Sequence, residues 1–392
     1  MAAVHTFNGL ILPDPGSVYI GPEVPPEAIA PGVTLHPGTR ISGERVSIGP
    51  GSVIGSEGPA TVVNCQLEKN VTLGSGYFEG SVFLDGASMG GSAHVRPGCL
   101  LEEQASGAHS VGLKQTVLLP FVTLGSLINF CDGLMAGGTS RKNHSEVGSS
   151  YIHFNYTPRQ DKATASLLGD VPHGVLLNQP PIFLGGQGGL VGPALVAFGT
   201  VVPAGQILRR DVLDPSHLVV DHAPPSGRVP IDLRAYGKVD RIIHNNLAYL
   251  GNLNALKTWY RLVRSRFMEG DAWSRAACAG AVAAIDLILK ERIKRLGEVA
   301  ARMPESIERL GGSGHASAGE AVRQQQRFAD VWPSMEQALR TGVSDENVPS
   351  LPPPSLPYLN WIASLDEAAR ASVSAWLGGI VEQSTSLWHQ GT

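Results

Sequence analysis

Charge and aromatic residues are scarce in this chain. Only 16% of its 392 residues are charged and 6% are aromatic, with a formal net charge of −4. There is no basic field to draw in nucleic acid and no acidic tail, so nucleic acid is excluded as a partner class. Four cysteines (Cys65, Cys99, Cys131, Cys278) lie far apart and form no CxxC pair, which points to reduced thiols in a cytoplasmic protein. No uninterrupted apolar run reaches the ~18 residues needed to span a membrane. The opening MAAVHTFNGL has neither the basic nor the apolar region of a signal peptide, so no membrane partner is expected.

Glycine, proline and small aliphatics fill the space instead. The chain holds 47 Gly and 28 Pro while 43% of its residues are hydrophobic, a mixture that implies many tight turns around a real core. The texture changes near residue 235. Before it Gly, Pro, Val and Ile dominate; after it Ala, Leu, Arg and Glu recur at helical spacing. The expected organisation is a lead-in over 1–27, a β domain over 28–235 and an α-helical C-terminal domain over 236–392.

The β half carries a repeat of six. Leu184, Leu190, Val196, Val202 and Leu208 are spaced at that interval, as are Ile29, Leu35 and Ile41, and Ile48 and Ile54 resume it after a one-residue slip. Six matches neither the 3.6-residue helix nor the two-residue strand period. It fits a coil with three flat sides, each side holding one short strand with one aliphatic residue pointing inward. Gly and Pro then turn the corners. The fold class is mainly β: a left-handed parallel β-helix of hexapeptide repeats followed by helices. Residues 60–180 break the period, which predicts distorted coils or inserted loops, the usual carriers of function on a rigid scaffold.

In the second half, Ile242, Leu247, Leu250, Leu253, Leu256, Trp259 and Leu262 mark an amphipathic helix within 238–268. Further helices are predicted from 271 to about 302, within 317–340 and from 366 to about 387. GGSG at 311–314 and VPSLPPPSLP before Tyr358 read as linkers. A packing or oligomerisation role is expected, with the helices capping one end of the coil.

Residues 182–212 read IFLGGQGGLVGPALVAFGTVVPAGQILRRDV. This stretch resembles the last coils of the hexapeptide-repeat acetyltransferase domain of the bifunctional N-acetylglucosamine-1-phosphate uridyltransferase/glucosamine-1-phosphate acetyltransferase family. Upstream, Pro120-Phe121, Asn129-Phe130 with Asp132, Lys142 before Ser145-Glu146-Val147-Gly148, and His153-Phe154-Asn155-Tyr156 follow the family's order. Asn155-Tyr156 with Lys162 and Thr164 also resembles a second, later family motif, so two registers remain open for 153–164. The family's uridyltransferase half, with its glycine-rich phosphate loop, has no counterpart here. The basic residue the family places after Pro-Phe is replaced by Val122, Thr123 and Leu124; Arg96, Lys114 and Arg141 are the candidates to stand in. The resemblance implies acetyl-CoA as co-substrate, an amino sugar phosphate or nucleotide sugar as acceptor, and a homotrimer with sites between neighbouring β-helices.

N-acyl transfer from a thioester requires a base for the amine, donors for the oxyanion, and two substrates held together. Histidine suits the base because its pKa lies near neutrality. The candidate catalytic residues are His153 as base, Lys142, Asn155 and Tyr156. Arg141, His144, Arg159, Lys162 and Arg96 are candidates for binding the acceptor. A non-catalytic sugar-nucleotide-binding or scaffold protein on the same fold is the alternative. A metal-dependent lyase using His94, His109, His144 and His153 is a weaker one, since these residues lack a close histidine pair; no metal is expected.

Overall fold

A computed structural model describes residues 9–155, 157–220, 226–228, 231–311, 318–342 and 347–389. Short parallel strands, most of them two residues long, wind into a left-handed parallel β-helix. Each strand pairs with the strand one coil on, as Thr34 does with Val53 and Val53 with Thr72. Pairing starts upstream of residue 28, where Tyr19–Ile20 lies beside Arg40–Ser42.

The coil has three faces. One is an open sheet of nine strands running from Thr34–Leu35 to Val201–Val202. The other two join into one 16-stranded sheet, because Gly112–Leu118 and Asn129–Met135 run unbroken round the corner between them. The N-terminal end of Gly112–Leu118 pairs with His94 and Val95, its C-terminal end with Leu100 and Leu101. The corner residues there, Gln115 and Asp132, have φ of 48° and 59°, and in earlier coils Gly43, Asn64, Gly80 and Gly98 take the same left-handed conformation. Gly and Asn adopt it at little steric cost. Inside, Leu35, Ile54, Leu73, Met89, Leu124, Val147, Leu184 and Val202 stack in one buried ladder, each worth ~1.5–3 kcal/mol of apolar transfer.

The expectation that irregularity begins at residue 60 is corrected. Coils stay regular through Met135. The outward residue of the open face steps from Thr72 to Ser88, Ser106 and Thr123 in unbroken parallel register. The first and last of these steps are not multiples of six, so the sequence period fails while the strand pairing holds. True insertions follow. One is a hairpin of Gly138–Ser140 against Asn143–His144; another includes 157–165; a third, 169–182, contains the short helix α1 (Val171–Gly174).

After the solenoid come α2 (Asp240–Leu262), α3 (Ala272–Ala300), α4 (Met303–Gly311), α5 (Ala318–Thr341), α6 (Tyr358–Ser364) and α7 (Glu367–His389). They cover a face and not an end, which corrects the capping expectation. On the covered face even the outward residues Val82, Leu100, Val117, Leu134 and Leu167 are apolar, and all are buried. α3 lies across the first coils of this face and α2 against the later Ser166–Leu168. The stretch Ala272–Gly311 is long and apolar enough, by length and composition alone, to cross a membrane. Its apolar positions Ala277, Ala281, Ile285 and Ile288 are buried in the packing of α3 on the solenoid.

The seam between the halves is polar and specific. Arg264 of the turn after α2 is 1% exposed and forks onto Glu103, with Nη2–Oε1 at 2.6 Å and Nη1–Oε2 at 3.1 Å. Tyr260 donates to Glu102 at 2.7 Å and Ser274 to Glu68 at 2.9 Å. Burial pushes the Glu102 carboxyl up to about 7 and raises that of Glu68. Arg292 of α3 pairs with Asp132 at 3.1 Å and donates to Gln115 at 2.9 Å, bracing the two left-handed corner residues. All four cysteines are free thiols, and burial pushes Cys65 and Cys99 up to about 12.

Candidate functional site

The polar residues singled out in the sequence fall into two groups at different corners of the coil. The first is on the hairpin, which leaves the corner between the covered and open faces. Gly138 has φ of 99°, and a Cβ there would lie 2.5 Å from the His144 Cα, so only glycine lets the hairpin close. Ser145 fastens its base, donating to Ala136 O at 2.8 Å and accepting from the Ile182 N–H at 2.9 Å.

Arg141 folds back from the hairpin tip onto the solenoid. Its Nη1 donates to Gln104 O at 2.7 Å and Phe121 O at 3.0 Å, and its Nη2 donates to the Thr123 hydroxyl. A guanidinium therefore sits against Phe121 O and Thr123, where the basic residue after Pro120-Phe121 is missing from the sequence. Its pKa is lowered by partial burial, which Glu146 opposes. His144 is half-buried beside it. Its Nδ1 lies 2.9 Å from Arg141 O, which can only accept, so Nδ1 carries the proton. Nε2 is left with its lone pair, 3.5 Å from Arg141 Nη2. Lys142 is exposed at the tip, its backbone N–H on Ser140 Oγ at 3.3 Å.

The second group lies at the corner between the remaining face and the covered face, next to the helices. His153 is 1% exposed. Nδ1 donates to Cys131 O and Nε2 accepts from Ser166 Oγ at 2.8 Å, while the ring packs on Phe130 at 5.5 Å. Burial lowers its pKa. Both ring nitrogens are engaged inside the coil, so within one chain this imidazole faces no solvent. Asn155 Nδ2 donates to Asp132 at 2.8 Å. Arg159 stacks on Tyr236 at 4.5 Å and donates to Ala235 O at 2.7 Å. Lys162 is exposed and its carbonyl accepts from Arg292 at 3.2 Å. Arg96, also exposed, reaches Cys131 Sγ at 3.4 Å. Tyr156 lies outside the described residues.

The histidines weighed for metal are not brought together. His94 stacks on Tyr77 and His109 bonds Ser126 at 2.8 Å. Among the described residues no group of three or more His, Cys, Asp or Glu is placed to hold an ion. Sequence reasoning missed one pair, Asp170 and His173 on α1, whose side chains meet at 2.8 Å. The available signal was the string Asp-Val-Pro-His, a helix start with proline in its first turn.

No protein-family model matches the chain. It is similar to the Bifunctional protein GlmU of Nitratidesulfovibrio vulgaris (strain DP4), 26% identical over 219 residues, covering 54% of this chain and 42% of that protein. The corresponding figures are 26% over 206 residues for that of Thermotoga petrophila, covering 52% and 41%. For that of Lawsonia intracellularis they are 28% over 206 residues, covering 52% and 40%. The chain thus spans about two fifths of the length of these relatives. Together with the solenoid, these matches fit a hexapeptide-repeat acetyltransferase domain resembling GlmU.

Proposed function

We propose that the protein is an acyltransferase that moves an acetyl group from acetyl-CoA to the amine of an amino sugar phosphate or a related nucleotide sugar. The observation that carries this reading is Arg141 over Thr123. It brings a cation to the place where the resemblance calls for a phosphate-binding residue, and it does so beside the His144 imidazole, whose Nε2 lies 3.5 Å from the guanidinium. His144, and not His153, is the base in this proposal: Nε2 of half-buried His144 is held by a long 3.5 Å contact from Arg141 that an acceptor amine can displace, whereas both nitrogens of His153 are bonded within the coil. Lys142 holds the acceptor's phosphate beside the fixed charge of Arg141, whose Nη groups are bonded to the solenoid and His144, and proximity supplies much of the rate.

Lys162, Asn155 and Arg96 stand at another corner of the same coil. They join His144 only if neighbouring copies pack side by side, so the proposal includes a homotrimer with its sites between subunits. A sugar-nucleotide-binding protein without catalysis is the second reading. It is favoured by the structural bonds that occupy Arg159 and Asn155.

The test is thiol release from acetyl-CoA across a panel of amino sugar phosphates. Release with one acceptor, and a raised acceptor KM in Arg141→Gln, supports the proposal. If no acceptor works and acetyl-CoA leaves the melting temperature unmoved, the resemblance is architectural only.

A further inference from the structure

The third insertion builds a second polar pair that the acyl-transfer reading does not use. Asp170 caps α1, its Oδ1 accepting the His173 N–H at 2.8 Å. The same carboxylate receives Nδ1 of the His173 ring at 2.8 and 2.9 Å. An ionised carboxylate only accepts, so Nδ1 carries the proton and Nε2 presents its lone pair. The carboxylate also raises the imidazole's pKa. A base held by an orienting acid is the arrangement that proton-accepting sites share.

Helix capping accounts for the bond from Asp170 to the backbone. It does not account for where the pair sits. Both residues line a cavity of about 370 Å³, and they are the ionisable side chains among its lining residues. The rest of the wall is largely apolar, with Leu195, Phe198, Val212 and Leu213 from the last coils. Leu213, at the rim of the cavity, is 68% exposed. The dyad is also braced from behind. Asn252 of α2 accepts the Val171 N–H at 2.7 Å; from α7, Ser374 donates to Pro172 O at 3.1 Å and Arg370 to Leu176 O at 2.8 Å. Such support holds a side chain at a set position before a ligand arrives.

We propose that this cavity is a second small-molecule site, for a ligand with an apolar body and a terminal hydroxyl or thiol whose hydrogen bond His173 Nε2 accepts. The apolar wall buries the body, and the single oriented acceptor selects the head group. Imidazole protonation abolishes the acceptor, so binding strengthens as pH rises through the raised His173 pKa.

The experiment titrates the full chain with 4-methylphenol, toluene and 4-methylbenzoate, followed by imidazole nitrogen NMR. The expected result is that 4-methylphenol binds about tenfold more tightly than toluene, the worth of one added hydrogen bond, and shifts the His173 Nε2 resonance. In His173→Phe that preference is lost while toluene still binds. In Asp170→Asn, which keeps a capping side chain, the preference shrinks. Equal binding of 4-methylphenol and toluene, tighter binding of 4-methylbenzoate, an unmoved Nε2 resonance, or no binding of any probe overturns the proposal. The readout is binding, so it stands or falls separately from acyl transfer.

Discussion

Replacing Arg264 with Met keeps the apolar stem and removes the charge. Arg264 is 1% exposed, forks onto Glu103 and lies 3.8 Å over the Tyr358 ring. Glu102 and Glu68 are buried nearby, so the guanidinium faces more negative charge than it neutralises. Breaking a buried pair by deleting one partner costs ~3–5 kcal/mol, because the other charge stays desolvated. The assay is urea unfolding followed by tryptophan fluorescence. All six tryptophans lie in the helical half, so the signal reports the element that Arg264 docks. The stranded carboxylates regain neutrality by taking up protons, so the loss should be largest at pH 7.5 and smaller at pH 5.5. The double variant Arg264→Met, Glu103→Gln should recover most of it. A loss below ~1 kcal/mol at pH 7.5, the range of an exposed pair, or a loss that grows as pH falls, refutes the reasoning.

Other expectations follow from the same geometry. His153→Ala takes from Cys131 O the imidazole donor and from the Ser166 O–H its acceptor inside the coil, so it should cost ~1–3 kcal/mol, read as a lower melting temperature. His144→Ala should fold normally and lose ~10²- to 10⁴-fold in acetyl transfer, the usual worth of a general base, measured by thiol release. For Glu102 the folded pKa is raised from the model-compound 4.5 to about 7. The folded state therefore binds the extra proton, and wild-type stability should fall as pH rises through that window. Glu102→Gln should flatten this slope in a pH series of urea midpoints, and an unchanged slope would place the effect elsewhere.

The hexad ladder from Leu184 to Leu208 made the solenoid legible, because one inward aliphatic per side is a strict steric demand. The middle coils hid for the opposite reason. Corner residues such as Asn64, Gly80 and Gln115 let coils shorten or lengthen without breaking the pairing, so the count drifts while the ladder continues. The helices were legible from their apolar spacing, but their position was not. Its trace was the doubled apolar pairs Val82-Phe83, Leu100-Leu101 and Val117-Leu118, whose outward members need a cover. At the site, the sequence identified Arg141, Lys142 and His144 as a polar cluster. It could not show that Arg141 would fold back to Thr123, which depends on the turn of a hairpin, or that His153 would turn inward, which depends on which way one residue of a short strand points.

The most direct test of the acyl-transfer account mixes two inactive variants, His144→Ala and Lys162→Gln, and measures thiol release after the subunits exchange. If each site joins His144 of one copy to Lys162 of its neighbour, the mixture should regain about a quarter of wild-type activity, the share of interfaces that pair two intact halves under random assembly of a closed ring. No recovery, with exchange verified by mass, would contradict a site shared between copies.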